Sequence, residues 1–163
     1  MTNSHSPVPL ALFSCVKLLK VFNPEYLLTL LKSLKQLSMD AGTLEPLQNA
    51  GAIPMLIGLF SIDNMTTDIM NQIVNTLYNL TRIDRSRQEE AARAGIIPHL
   101  KEIINENSPL KQFALEIILD LGKAPGGRSE LSKCDGVEYY LELLTTYANW
   151  RVNTFDVLSL WYV

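Results

Sequence analysis

One short motif recurs along this chain, at a spacing that few folds allow. Its copies are residues 49–56, 93–100 and, in weaker form, 134–141. The central glycines of the copies are 44 and then 41 residues apart. A period of roughly 40–47 residues with helical patterns in between is typical of solenoids, in which each helical repeat packs on its neighbours. The chain is therefore predicted to be an all-α helical-repeat solenoid.

The period is that of an armadillo/HEAT-type solenoid, and each repeat is predicted to contain three helices, as in armadillo proteins. In the clearest copy, residues 84–93 form a short first helix that Gly95 ends, because glycine takes the left-handed conformation without a Cβ clash. The second helix carries Pro98 in its first turn, where a missing N–H costs no hydrogen bond. The third helix is expected to begin at Ser108 and to stop at Gly122. We therefore expect about three full repeats and a partial N-terminal one.

The helix pattern also predicts the boundaries along the chain. A disordered tail at residues 1–8 is followed by a partial repeat at 9–38 and by full repeats at 39–83, 84–123 and 124–163. Gly126-Gly127 is the one flexible-looking joint. The chain stops on Trp161-Tyr162-Val163, whereas solenoids normally close with a polar cap. The sequence thus suggests a fragment of a longer chain that self-associates through its exposed C-terminal end.

Composition narrows the class of protein. The 163 residues are 47% hydrophobic and 19% charged, which indicates a folded domain with a continuous core. The net charge of −3 argues against a nucleic-acid surface, and no apolar run is long enough to span a membrane. Cys15 and Cys134 lack metal-ligand spacing and are interpreted as reduced thiols. We therefore expect a cytoplasmic location, no metal and no cofactor.

Catalytic motifs are not found in the sequence. Gly126-Gly127 is followed by Arg128 and lacks the spacing and the lysine of a phosphate-binding loop. The chain has no nucleophile elbow and no kinase catalytic loop. It is therefore predicted not to be an enzyme, and a role in binding other proteins is expected.

The predicted site is a polar strip along the third helices. Asn71, Asn75 and Asn79 recur every four residues, so they share one helix face. An amide offers a donor and an acceptor and can pair with the backbone of an extended peptide whatever its side chains. The alternative, a solvated polar face, stays open. The full set of predicted groove residues is Lys32, Gln36, Asn71, Asn75, Asn79, Arg82, Gln112, Glu116 and Asp120.

A basic cluster lies at the start of the clearest repeat. It consists of Arg82, Arg85, Arg87 and Arg93. Glu89 and Glu90 lie among these arginines at helical spacing. A self-neutralised, solvated face is the preferred interpretation, and a phosphate site is the alternative.

Several segments go beyond a generic solenoid. They are residues 75–80, 84–100, 108–115, 136–141 and 147–150. Together they resemble the C-terminal armadillo region of the septation-initiation and mitotic-exit protein kinases, whose plant relatives are the MAP kinase kinase kinase epsilon proteins. The resemblance covers roughly residues 40–160. The predicted groove differs from those of import receptors. Its asparagine is kept at Asn79 but not at Gln36 or Asp120, and this chain mostly lacks the aromatic residues that accompany the asparagine in import receptors.

The resemblance implies a non-catalytic region that localises and regulates a serine/threonine kinase. It implies a small GTPase or a spindle-pole scaffold as partner, and a place at the spindle pole body or the division site. Two alternatives stay open. One is a free-standing armadillo adaptor with unrelated partners, and the other is a protein kinase whose catalytic domain is absent from this chain.

Overall fold

The computed structural model describes residues 23–63, 65–106 and 108–146, and within them the chain is helical with no β-strand. The helices are α1 Pro24–Leu37, α2 Ala41–Asn49, α3 Ala52–Gly58, α4 Thr67–Thr81, α5 Arg85–Arg93, α6 Ile96–Asn105, α7 Lys111–Lys123, α8 Pro125–Lys133 and α9 Gly136–Thr146. A 3₁₀ turn, Leu59–Ser61, extends α3. The predicted all-α class is confirmed. The predicted tail 1–8, the helices at 9–21 and 149–163 and the aromatic C-terminus lie outside the described residues.

The chain divides into two compact units, Met1–Leu80 and Thr81–Val163. In the first unit, α1 to α4 bury leucine and isoleucine side chains from every helix. In the second unit, α7 contacts α6 and α8, and α5 contacts α8. The predicted repeat boundaries stay a prediction.

The joints between first and second helices follow the recurring motif. Gly51 and Gly95 have φ angles of 78° and 87°, in the left-handed region that glycine adopts without strain. The third joint differs from the prediction. There Asp135 takes the left-handed conformation with φ of 50°, and Gly136 is already the first residue of α9. Gly136 is needed for a different reason, because a Cβ at this position would collide with the carbonyl oxygen of Leu131.

The third helix of the clearest repeat also departs from the prediction at both ends. Gly122 does not stop it, since the residue lies buried inside α7. The helix ends at Lys123, and Ala124 is extended because it precedes Pro125. At the other end, Ser108 lies in a turn before α7, where its Oγ accepts a hydrogen bond from the N–H of Leu110 at 3.2 Å.

The glycine pair that suggested a flexible joint is part of a helix. Gly126 and Gly127 lie in the first turn of α8. Gly127 is buried where a Cβ would overlap the carbonyl group of Leu121. The side chain of Arg128 then donates to the last carbonyls of α7, at 3.3 Å to Gly122 and 3.1 Å to Lys123. The prediction of a loose hinge was wrong because close packing, rather than flexibility, requires these glycines.

The core follows the helical spacing of the apolar residues. Eight apolar residues at this spacing have at most 4% of their surface exposed: Leu77, Leu80, Ile97, Leu100, Ile104, Leu115, Ile118 and Leu121. Sequence patterns did not predict the buried polar residue Gln88, whose Nε2 donates to the backbone oxygen of Thr81 at 2.8 Å.

Replacing Gly122 by alanine is expected to lower the free energy of unfolding by about 1–3 kcal/mol, because the added Cβ would overlap the ring of Tyr140. The matched control is Gly58→Ala at the end of α3. A Cβ there meets no atom within 4 Å, so this variant should be neutral or slightly more stable. Urea denaturation followed by circular dichroism measures both, and equal stabilities would contradict the assigned packing of α7.

Candidate functional site

Two asparagines on one face of α4 are hydrogen-bonded to each other. Asn71 is exposed and Asn75 is half-buried. The Nδ2 of Asn75 donates to the side-chain oxygen of Asn71 at 2.6 Å and to its backbone oxygen at 2.8 Å. Two of the three predicted amides are thus paired with each other along one helix face.

Asn79 is held by a residue outside its own helix. Its Nδ2 lies 2.9 Å from the Oγ of Ser38, and that hydroxyl donates to the backbone oxygen of Lys35 at 2.7 Å. The single hydroxyl proton is therefore committed, so the amide group that faces Ser38 must be the NH₂. The amide oxygen of Asn79 is consequently turned away from Ser38. Residues 41 apart in sequence form this bond, which no local pattern predicts.

The two α1 residues of the predicted strip, Lys32 and Gln36, are both exposed. Neither forms a hydrogen bond or ion pair with the α4 asparagines among the described residues. Within the first unit, the structure therefore joins Asn71 to Asn75 and anchors Asn79, while Lys32 and Gln36 remain surface residues of α1.

The polar face of α7 carries the predicted acidic residues. Gln112 donates its Nε2 to Glu116 at 3.2 Å, and Asp120 forms an ion pair with Lys123. The Asp120 side chain is only 16% exposed. Burial raises the pKa of Asp120, while its hydrogen bond and ion pair with Lys123 lower the pKa, Glu116 adds to the rise, and the Arg82 charge opposes it. Asp120 is thus a shielded carboxylate that already has cations of the chain beside it.

The basic cluster is neutralised in part. Arg87 lies 3.8 Å from Asp84, and Arg93 lies 3.7 Å from Glu89. Arg85 is exposed and makes no ion pair in the described part of the chain. Glu89 has a second role, because its Oε1 accepts from the N–H of Gly126 at 3.1 Å. A carboxylate at the N-terminus of α8 is favourable for the helix dipole, so Glu89 ties α5 to α8.

Within residues 23–63, 65–106 and 108–146, no three His, Cys, Asp or Glu side chains are placed to hold a metal ion. Among the same residues, no helix is long and apolar enough to cross a membrane. Cys134 is a half-buried free thiol, and burial lowers the pKa of His99.

Comparison with solved structures defines the class of this fold. The chain superposes on a designed armadillo repeat protein in complex with peptide (KR)4, with a TM-score of 0.67 over 91% of this chain and 60% of that one, at 17% identity. The chain is therefore an armadillo-type helical-repeat protein region. No protein-family model matches the sequence.

Sequence relatives then show which armadillo-type region this is. The chain is 40% identical over 152 residues to the cytokinesis protein sepH of Emericella nidulans, covering 90% of this chain and 11% of that protein. It is 38% identical over 149 residues to MAP3K epsilon protein kinase 1 of Brassica napus, covering 88% and 11%. The chain is similar to one region of the cytokinesis protein sepH and of MAP3K epsilon protein kinase 1, and it spans about a tenth of their length. The resemblance inferred from the sequence is confirmed.

Replacing Asn79 by alanine is expected to lower the free energy of unfolding by about 1 kcal/mol, because the hydrogen bond to Ser38 is lost. Asn71→Ala is the control. It removes an exposed amide and should leave stability unchanged or slightly raised, since alanine is the better helix former. Thermal denaturation of both variants measures the difference. A stable Asn79→Ala variant would show that the bond to Ser38 contributes nothing.

Asp120→Asn should make stability less dependent on pH. The pKa of Asp120 is raised from its ordinary value of 3.8, so the folded state favours the protonated form. The native chain then loses stability as the pH rises through the raised pKa. The asparagine variant lacks this loss, so its advantage should grow as the pH rises from about 4 through the raised pKa of Asp120 and then level off. Urea denaturation across this range tests the sign, and an advantage that shrinks with pH would contradict it.

Proposed function

We propose that this chain is a non-catalytic protein-interaction module, the localising and regulatory armadillo region of a serine/threonine kinase that controls septation or mitotic exit. The homologous cytokinesis and kinase proteins support the cellular setting. A small GTPase or a spindle-pole scaffold is the proposed partner. The proposed place of action is the cytoplasm at the spindle pole body or the division site.

The fixed orientation of the Asn79 amide carries the proposal for binding. Its NH₂ is engaged with Ser38, so its oxygen is held in one direction as an acceptor for a backbone N–H of the partner. Little side-chain entropy is then lost on binding, because the side chain is already ordered. The α4 face thus contributes recognition of the main chain, independent of the partner's side chains.

The α7 face contributes selection by charge. Glu116 is half-buried, and its carboxylate accepts an exposed hydrogen bond from Gln112 at 3.2 Å. A lysine or arginine of the partner can pair with this carboxylate. Asp120 is already paired with Lys123, so it orders the face more than it selects the ligand. The designed armadillo protein that shares this fold is in complex with a basic peptide, which is the ligand chemistry proposed here.

Fluorescence anisotropy with a labelled (KR)4 peptide tests the proposal. Asn79→Ala should weaken binding about fivefold, the equivalent of roughly 1 kcal/mol. Ser38→Ala removes the same internal hydrogen bond but keeps the amide, so it should weaken binding less than Asn79→Ala does, through loss of the fixed orientation alone. Glu116→Gln should weaken binding and reduce its salt dependence, whereas Glu138→Gln, an exposed acid on α9, should not.

The outcomes separate binding from folding. Equal losses in Asn79→Ala and Ser38→Ala would assign the effect to stability rather than to contact with the peptide. No loss in Asn79→Ala and Glu116→Gln, with a large loss in Arg85→Ala, would move the binding surface away from the α4 and α7 faces.

A further inference from the structure

The turn between α4 and α5 exposes an aliphatic side chain to an unusual degree. Ile83 is 86% exposed, whereas the other exposed large hydrophobic residues of the described chain, Tyr26, Met39 and Ile62, are 43–65% exposed. Burying an isoleucine normally stabilises a fold, because its apolar surface is removed from water. This chain leaves that stabilisation unused at Ile83.

The local sequence explains why the fold does not cover Ile83. The residue directly precedes Asp84, the N-cap of α5. An apolar residue at this position usually packs on the fourth residue of the helix, which here is Gln88. Gln88 is polar and buried, with its amide committed to the backbone oxygen of Thr81. The usual cover for Ile83 is therefore missing.

The turn is nevertheless well ordered by hydrogen bonds. The Oδ1 of Asp84 accepts from the N–H of Arg87 at 2.9 Å, and the N–H of Gln88 donates to the backbone oxygen of Asp84 at 3.0 Å. Thr81 on the other side is fully buried. Ile83 is thus presented on a fixed backbone, so a partner need not order the turn on binding.

Cationic side chains outnumber anionic ones around Ile83. Asp84 uses its carboxylate for the cap and for the contact with Arg87. Arg82 and Arg85 lie on either side of Ile83 and are both exposed. Guanidinium groups bind carboxylates through two parallel hydrogen bonds. The complementary surface is therefore an aliphatic site flanked by carboxylates.

We propose that residues 82–85, the exposed turn, dock onto an acidic, aliphatic-rich segment of another protein. Ile83 is the apolar anchor, and the exposed Arg85, which makes no ion pair in the described part of the chain, selects acidic neighbours. An anionic membrane is the weaker fit, because lipid-binding segments cluster four to eight basic residues and the turn has two. Unlike the carboxylates of the α7 face, this surface needs an acidic ligand.

NMR titration of the isotope-labelled chain tests the proposal. The probe is a synthetic peptide in which Glu and Leu alternate. Shifts of backbone amides should concentrate at residues 82–85. Ile83→Ser should weaken binding at least about fivefold without unfolding the chain, because the side chain is exposed. Arg85→Gln should weaken it more at low salt than at high salt.

The chain offers a matched control for the apolar anchor. Met39 is also exposed and also precedes an aspartate N-cap, Asp40, but no arginine flanks it. Met39→Ser should leave the affinity for the Glu-Leu peptide unchanged. An equal loss in Met39→Ser and Ile83→Ser would show that general hydrophobicity, and not the exposed turn, binds the peptide.

Further outcomes would overturn the proposal. Equal binding of a peptide in which Glu and Ser alternate would remove the role of Ile83, and preference for a Lys-Leu peptide would remove that of the arginines. Self-association in sedimentation experiments that is lost in Ile83→Ser would make a second copy of the chain the occupant. Ile83-dependent binding to phosphatidylserine vesicles with no binding to the Glu-Leu peptide would point to a membrane.

Discussion

The contact of Tyr140 with Gly122 determines how closely α9 approaches α7. The Tyr140 ring is fully buried, and its hydroxyl donates to the backbone oxygen of Leu119 at 3.0 Å. Only a residue without a Cβ leaves space for the ring at position 122. Burial and the nearby Asp120 charge both raise the pKa of Tyr140, so the hydroxyl keeps its proton and its hydrogen bond. The helix that carries the acidic face, α7, is thus held by its packing against Tyr140.

Polar side chains hold the helices together at points where apolar packing alone would leave groups unpaired. Gln88 satisfies a carbonyl at the end of α4, Glu89 satisfies an N–H at the start of α8, and Ser38 pairs with Asn79. Buried polar groups are costly unless hydrogen-bonded, so each of these bonds also fixes the register of the elements it joins. A residue such as Asn79 therefore serves the fold and the proposed binding face at once.

The surface offers chemically different options for recognition. The α4 face carries uncharged amides, which suit a peptide backbone. The α7 face carries carboxylates, which suit basic side chains. The exposed turn presents an isoleucine between arginines, which suits an acidic and aliphatic ligand. Each of these surfaces therefore suits a ligand of different chemistry.

The sequence by itself determined the helical-repeat class, the identity of the relatives and the buried apolar positions. These follow from local rules, since helical spacing places Leu77, Leu80 and Leu121 on core faces and the motif period sets the repeat. The left-handed joints at Gly51 and Gly95 followed from the same motif, because that backbone conformation favours glycine.

Only the tertiary structure decided the rest, because it depends on residues that are distant in sequence. Gly122 and Gly127 look like helix breakers, yet close approach of Tyr140 and of the Leu121 backbone is what requires them. The pairing of Asn79 with Ser38 spans 41 residues, and no local pattern signals it. The burial that raises the pKa of Asp120 likewise comes from packing. Spacing along one helix shows which side chains share a face, but only packing determines which of them are already engaged.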